Sequence, residues 1–280
     1  MLPKFKCVVP RSIKEVLSLL SENECKVIAG GTDLLVELQD KEAAPLLVDI
    51  TKISELIWRP EERVGVISPL FTHGFVAESP VFKDMFPSLA IACSKVGSPQ
   101  IRNMGTIGGN IGNASPAADS IPPLMIYDAK VRLLSASNER ELTLEELLVD
   151  AYKTQIRKDE IIASVSITPM EGYRQGYKRL TIREALALSR LSVAYAIKEE
   201  KEKWLDVKIA IGSVTPVCFR ARELERALSE QIKDRDLLDE AIALTISRIR
   251  GQVGARETHK FKLPILKNLL REILWGGSWE

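Results

Sequence analysis

The stretch RNMGTIGGNIGNASPAADS, residues 102–120, holds Gly105, Gly108, Gly109 and Gly112 and hardly any bulky side chain. A β-turn spans four residues and calls for glycine at one or two of them, so a single turn does not explain this run. Backbone without Cβ atoms can approach a ligand closely. Successive N–H groups on such a path can converge on anionic oxygens. Ile107, Ile111 and Ala114 are interleaved with the glycines, which favours an ordered, partly buried path over a flexible surface loop. Asn110, Asn113, Ser115 and Asp119 add short polar groups able to reach ribose or ring heteroatoms.

A second glycine site lies upstream, in VIAGGTDLL at 27–35. The pattern reads as a strand, a glycine pair and a helix start, with Thr32 and Asp33 suited to the N-cap. Two readings stay open. The backbone can cradle a phosphate at the helix N-terminus, or the pair can serve a tight turn that needs one positive φ. No GxGxxG opens a βαβ unit, and GxxxxGK[ST] and GxSxG are absent, so the usual nucleotide and nucleophile signatures do not account for these glycines. Two separate glycine sites can clamp one extended, diphosphate-containing ligand.

Working outward, the chain is 280 residues long, with 45% hydrophobic and 28% charged residues and a formal net charge of +1. That length suits about two domains. That charge gives no bulk attraction to nucleic acid or to anionic membrane. No run approaches the ~20 apolar residues of a membrane span, and MLPKFKCVVPRS lacks a signal-peptide core, so the expected address is the cytoplasm. Cys7, Cys25, Cys93 and Cys218 form no CxxC, and His73 and His259 are far apart, so no metal site is expected.

Periodicity predicts a helix from Ser12, with Ser12 and Glu15 as a capping box, strands at 26–29 and 46–50, and a helix in FPSLAIACSKVG. Strands follow at 129–136 and 160–167, with a capping box at Thr143–Glu146 opening a helix over 145–149. The connection MEGYRQGYK, 170–178, marks a domain boundary. Strands in LSVAYAIK and LDVKIAIGSV and helices around 221–229, 236–250 and 264–275 complete the chain. The basic run Arg248, Arg250, Arg256, Lys260 and Lys262 reads as a solvated helix end. Trp58, Trp204, Trp275 and Trp279 read as dispersed packing anchors or subunit contacts.

Taken as a pair, KVIAGGTDLLVELQ and IRNMGTIGGNIGNASPAADSIPPLM resemble the FAD-binding medium subunits of molybdenum hydroxylases, the xanthine dehydrogenase and carbon monoxide dehydrogenase flavoproteins. DEIIASVSI, GYKRL and VKIAIGSVTPVCFRARELERAL extend the likeness over nearly the whole chain. The C-terminal GARETHKFKLPIL keeps Arg256 of the family pattern but has Gly254 and Phe261-Lys262 where other residues are usual. The resemblance implies an α+β fold. Two N-terminal α/β subdomains of the vanillyl-alcohol-oxidase-like (PCMH) type, at 1–55 and 56–170, would hold FAD, and a C-terminal α+β domain of the CO dehydrogenase flavoprotein type would span 171–280.

Carried over residue by residue, the first motif implies FAD contacts at Val27, Ile28, Ala29, Gly30, Gly31, Thr32, Asp33 and Leu34. The second implies Thr106, Ile107, Gly108, Gly109, Asn110, Ser115 and Asp119, and shorter motifs add Ile162 and Lys178. No catalytic side chain is implied. The expected role is electron transfer: [2Fe–2S] clusters and molybdopterin sit on an iron–sulfur subunit and a large molybdenum subunit, and NAD accepts the electrons from FAD. The alternatives are a stand-alone flavin reductase of the same fold and a non-catalytic nucleotide-binding module.

Overall fold

The computed structural model describes residues 2–39, 41–183, 188–254 and 256–275. Short apolar runs separated by a helix and a helix-like turn favour parallel pairing, and the chain begins that way. Strands β1 (Cys7–Val8), β2 (Cys25–Ile28) and β3 (Leu46–Asp49) form a parallel sheet in the order β1-β3-β2, which leaves β2 at an edge. Helix α1 (Ile13–Glu22) and the single turn α2 (Leu34–Glu37) connect them. Ser12 caps α1, its Oγ accepting from the Glu15 amide at 3.2 Å. The expected capping box closes by half, because the Glu15 carboxylate accepts from Arg11 N instead (2.7 Å). Val16 and Leu20 of α1 pack with Val48, Ile50, Ile53, Leu56 and Ile161.

The next stretch alternates short helices with an antiparallel sheet. In chain order it holds β4 (Val66–Ile67), α3 (His73–Glu78), α4 (Pro80–Met85), α5 (Pro87–Ser94), α6 (Pro99–Met104), α7 (Ile107–Asn113) and α8 (Ile121–Ile126). Then come β5 (Lys130–Leu134), β6 (Glu139–Thr143), α9 (Leu144–Leu147), β7 (Leu148–Asp150), β8 (Lys153–Thr154) and β9 (Ile161–Ser166). The sheet order is β4-β9-β5-β6. Thr143 and Glu146 close their capping box in both directions. The helix they open stops at Leu147, short of the expected 149, because Leu148 already pairs with Thr154 in β7.

The last part is a sheet between two helical layers. Strands β10 (Arg174–Leu180), β11 (Leu191–Glu200), β12 (Lys203–Gly212) and β13 (Phe219–Arg220) pair antiparallel in that order. Helix α10 (Arg222–Leu228), β14 (Gln231–Ile232), which pairs with β12, and helices α11 (Arg235–Val253) and α12 (His259–Trp275) follow. The segment 170–178, read from sequence as a connection, is strand from Arg174 onward. The last helix starts at His259 rather than 264 and holds Pro264 within it.

Strand alternation sorts this sheet's faces by size. Ala194, Ala196 and Ala210 meet the core of α5 and α8, while Val193, Ile197, Ile209 and Ile211 meet Leu238, Ile242, Leu266 and Leu270 of α11 and α12. Trp204 anchors that second face, its Nε1 donating to the Leu274 carbonyl at 3.1 Å. Trp58 is likewise tied, to Val66 O at 3.1 Å, whereas Trp279 lies outside the described residues.

Candidate functional site

At the end of edge strand β2 the chain turns through Gly30 and Gly31. Gly31 takes φ +69°, the left-handed conformation that glycine adopts without steric cost. Among the described residues, the amides of Gly30, Gly31, Thr32, Asp33 and Leu34 donate to no protein acceptor; the first bond beyond the turn is Leu35 N to Gly31 O (3.0 Å). Five consecutive unpartnered N–H groups around a left-handed residue make a concave anion nest. The tight turn with its one positive φ is present, and it leaves these amides open to a ligand. Val27 and Ala29 pack behind it on the α1 core, and Asp33 is an exposed N-cap residue whose side chain makes no capping bond.

The second glycine run meets this turn directly. A Cβ on Gly30 would collide with the Met104 carbonyl, and one on Gly105 would stand 3.3 Å from Thr32 Oγ1 and from His73 Cδ2. Beyond Gly105 the run is not the path of converging amides that composition suggested. It is helical. Thr106 caps α7, accepting from Gly109 N at 3.0 Å; Ile107 N donates to Phe71 O and Gly108 N to Pro69 O, both at 2.9 Å. The first-turn amides of α7 are thus taken by protein. Its glycines matter through the side chain they lack, for two different reasons. At Gly108 a Cβ would lie 2.7 Å from Pro69 Cβ, so the 68–75 segment requires glycine. Gly112 has no protein atom within 4 Å of that position, and Gly109 has only its own cap, Thr106 Oγ1, at 3.0 Å. Both are solvent-exposed, one turn apart, on a helix where each glycine costs ~1 kcal/mol relative to alanine. Protein packing gives no reason for them; a flat ligand lying on that face would give one.

The other expected contacts are spread differently. Asn110 Oδ1 accepts from Ser120 Oγ (2.6 Å), and Ser115 Oγ accepts from Ala117 N (3.3 Å), so both shape the chain after α7. Asp119 is buried and faces the last sheet, where it accepts from Tyr177 Oη (2.5 Å), Ser189 Oγ (2.5 Å) and Arg179 Nη1 (2.8 Å). Burial pushes its carboxyl up, against the pull of those donors. Ile162 is buried in β9 opposite Leu133. Lys178 points off the opposite face of β10 from Tyr177 and pairs with Glu272 of α12 at 2.5 Å. The structure therefore gathers residues 30–34, Thr106, Gly109 and the exposed face of α7, ties Asp119 to the strand and loop of the C-terminal part, and pairs Lys178 with Glu272 within that part. Sequence reasoning missed Pro69, Phe71, His73 and Gly74, which pin α6 and α7 in place. The only trace of them was a small residue, Gly74, whose missing Cβ makes room for Asn103.

Residues 3–170 match the family described as the FAD binding domain in molybdopterin dehydrogenase, and residues 175–275 match the CO dehydrogenase flavoprotein C-terminal domain. The chain is 30% identical over 261 residues to the glyceraldehyde dehydrogenase medium chain of Sulfolobus acidocaldarius, covering 92% of this chain and 91% of that one. It is 35% identical over 231 residues to the 6-hydroxypseudooxynicotine dehydrogenase complex subunit alpha of Paenarthrobacter nicotinovorans, covering 81% and 78%. Its fold matches the carbon monoxide dehydrogenase structure from Hydrogenophaga pseudoflava with a TM-score of 0.89 at 24% identity, covering 100% of this chain and 98% of that one.

Proposed function

The chain belongs to the family of FAD-binding subunits of molybdopterin dehydrogenases, and from that premise we propose that it relays electrons between an iron–sulfur partner and NAD. In this reading FAD lies across the junction of the 30–34 turn and α7. The observation that carries it is the row of five unpartnered amides set against a helix face bared by Gly109 and Gly112.

The nest takes the diphosphate without a cationic side chain, because N–H dipoles fixed by the turn supply the positive potential. Gly30, pressed on Met104, sets the distance between nest and helix. Thr106 stays fixed by its cap bond, and Ile107 and Ile111, both fully buried, form the dry wall behind the exposed face of α7. Bound FAD supplies a ring that takes up electrons singly and gives them up in pairs. The residues of this chain hold and orient that ring; the oxidation of the organic substrate belongs to the large molybdenum subunit, and the [2Fe–2S] clusters to a small one.

The test is purification of the native assembly with its flavin content read from visible absorbance. Gly109→Val should lose flavin while the last sheet and helices stay folded. Wild-type flavin stoichiometry in that variant, or this chain by itself oxidising the substrate, overturns the reading.

A further inference from the structure

His73 opens α3 at the seam between the two glycine motifs. Its amide donates to the Gly105 carbonyl at 3.0 Å, and Thr72 before it pairs with Thr106 as a single antiparallel bridge. The side chain is 3% exposed. Its Cδ2 stands 3.3 Å from the position of a Gly105 Cβ, and Thr32 Oγ1 of the nest stands 3.3 Å from that same position. The missing Cβ of Gly105 thus brings one edge of the imidazole and the nest hydroxyl to either side of one spot. Nε2 is bonded to Cδ2 and belongs to this edge.

The two ring nitrogens differ. Nδ1 lies 3.5 Å from Cys93 Sγ, inside the core. Among the described residues Nε2 has no protein partner. The sealed side-chain atoms without a partner among those residues are Glu199 Oε2 and His259 Nδ1, so His73 Nε2 keeps an opening to the surface. Cys93 is fully buried, and burial, followed by the charge of Asp119, pushes its thiol up. The sulfur therefore keeps its proton and donates it to Nδ1. Burial lowers the imidazole from 6.5 to about 4, so the ring is neutral near pH 7. A neutral imidazole carries one N–H, and a ring that accepts at Nδ1 carries it at Nε2. The one free polar atom of this buried side chain is then a donor on the edge that faces the nest.

We propose, on the flavin-site reading above, that His73 Nε2–H donates to a diphosphate oxygen of the dinucleotide held by the 30–34 turn, and that Cys93 is the positioning residue that fixes the tautomer. Thr32 belongs to the nest, so the ligand atoms beside it are those of the diphosphate. An anionic oxygen strengthens such a bond. A histidine that stays neutral supplies it without burying a cation, whose desolvation would oppose binding.

The test uses the full chain, deflavinated and labelled with nitrogen-15 at histidine. The sequence holds two histidines, so the spectrum of His73→Gln assigns both. At pH 7 His73 should be protonated at Nε2 alone, and that resonance should shift on addition of FAD or ADP but not of riboflavin, which has no phosphate. Fluorescence titration should find FAD bound about tenfold more weakly by His73→Leu, with His73→Gln, which keeps an N–H donor, in between. Cys93→Ala should bring in the Nδ1-protonated tautomer and weaken FAD less than His73→Leu does. A native His73 protonated at Nδ1, no shift with either FAD or ADP, an equal shift with riboflavin, or undiminished FAD affinity in His73→Leu overturns the proposal. If Gly109→Val loses flavin while His73→Leu keeps it, the histidine assignment alone falls; if both keep it, the flavin site falls too. Should His73→Leu misfold, the native spectra decide.

Discussion

Replacing Gly112 by alanine separates the two reasons a helix can hold glycine. A methyl there meets no protein atom within 4 Å. In the flavin-free chain the change exchanges a poor helix former for the best one, a gain of up to ~1 kcal/mol. For a domain of this size that raises Tm by about 2–4 °C. With FAD present the same methyl stands on the face assigned to the cofactor. Overfilling a close contact costs ~1–3 kcal/mol, which is about 5- to 150-fold in Kd. Gly108→Ala is the matched opposite. Its methyl would lie 2.7 Å from Pro69 Cβ and 2.8 Å from the Pro69 carbonyl, and backbone does not yield as a side chain does. That variant should therefore lose ~1–3 kcal/mol before any ligand is added. Calorimetric melting of deflavinated protein and fluorescence titration with FAD measure both effects on the same preparations. A Gly112→Ala chain that melts higher and still binds FAD as tightly as the native one refutes the assignment of that face.

Further outcomes follow from individual contacts. Gly30→Ala forces a Cβ into the Met104 carbonyl, so it should part the nest from α6 and lower both Tm and flavin retention; a crystal structure with the turn unmoved would count against this. Asp119→Ala removes a buried carboxylate held by Tyr177, Ser189 and Arg179, and should cost ~3–5 kcal/mol in chemical denaturation. Loss of flavin without loss of stability in that variant would instead put Asp119 on the cofactor. Burial lowers the His73 imidazole from 6.5 to about 4. The unfolded chain therefore binds that proton first: stability is full above pH 6.5 and falls by up to ~3 kcal/mol as the pH drops toward 4. His73→Gln should flatten that part of the stability curve, and an unchanged slope would show that other groups set it.

Much of this was legible because it is local. The Ser12 and Thr143 caps, the edge strand running into Gly30-Gly31, and the alternating strands after 190 depend on neighbours within a turn or a pleat. The glycine run shows where local reading stops. Glycine is a poor helix former, so four of them predict irregular backbone; the cap from Thr106 and the pressure of Pro69 on Gly108 make a helix there. The same limit explains Asp119 and Lys178. Their spacing in sequence does not say which face of β10 is opposite which helix, and that pairing turns one into an interdomain tie and the other toward Glu272.

The amino-acid sequence by itself determined the pair of glycine motifs, the family they carry and the longer strands and helices, since these follow from side-chain size and short-range periodicity. Only the tertiary structure decided that the first motif presents free amides while the second presents bare helix surface. A backbone N–H is available to a ligand only when no distant carbonyl has claimed it, and Phe71 and Pro69, far upstream, claim those of α7.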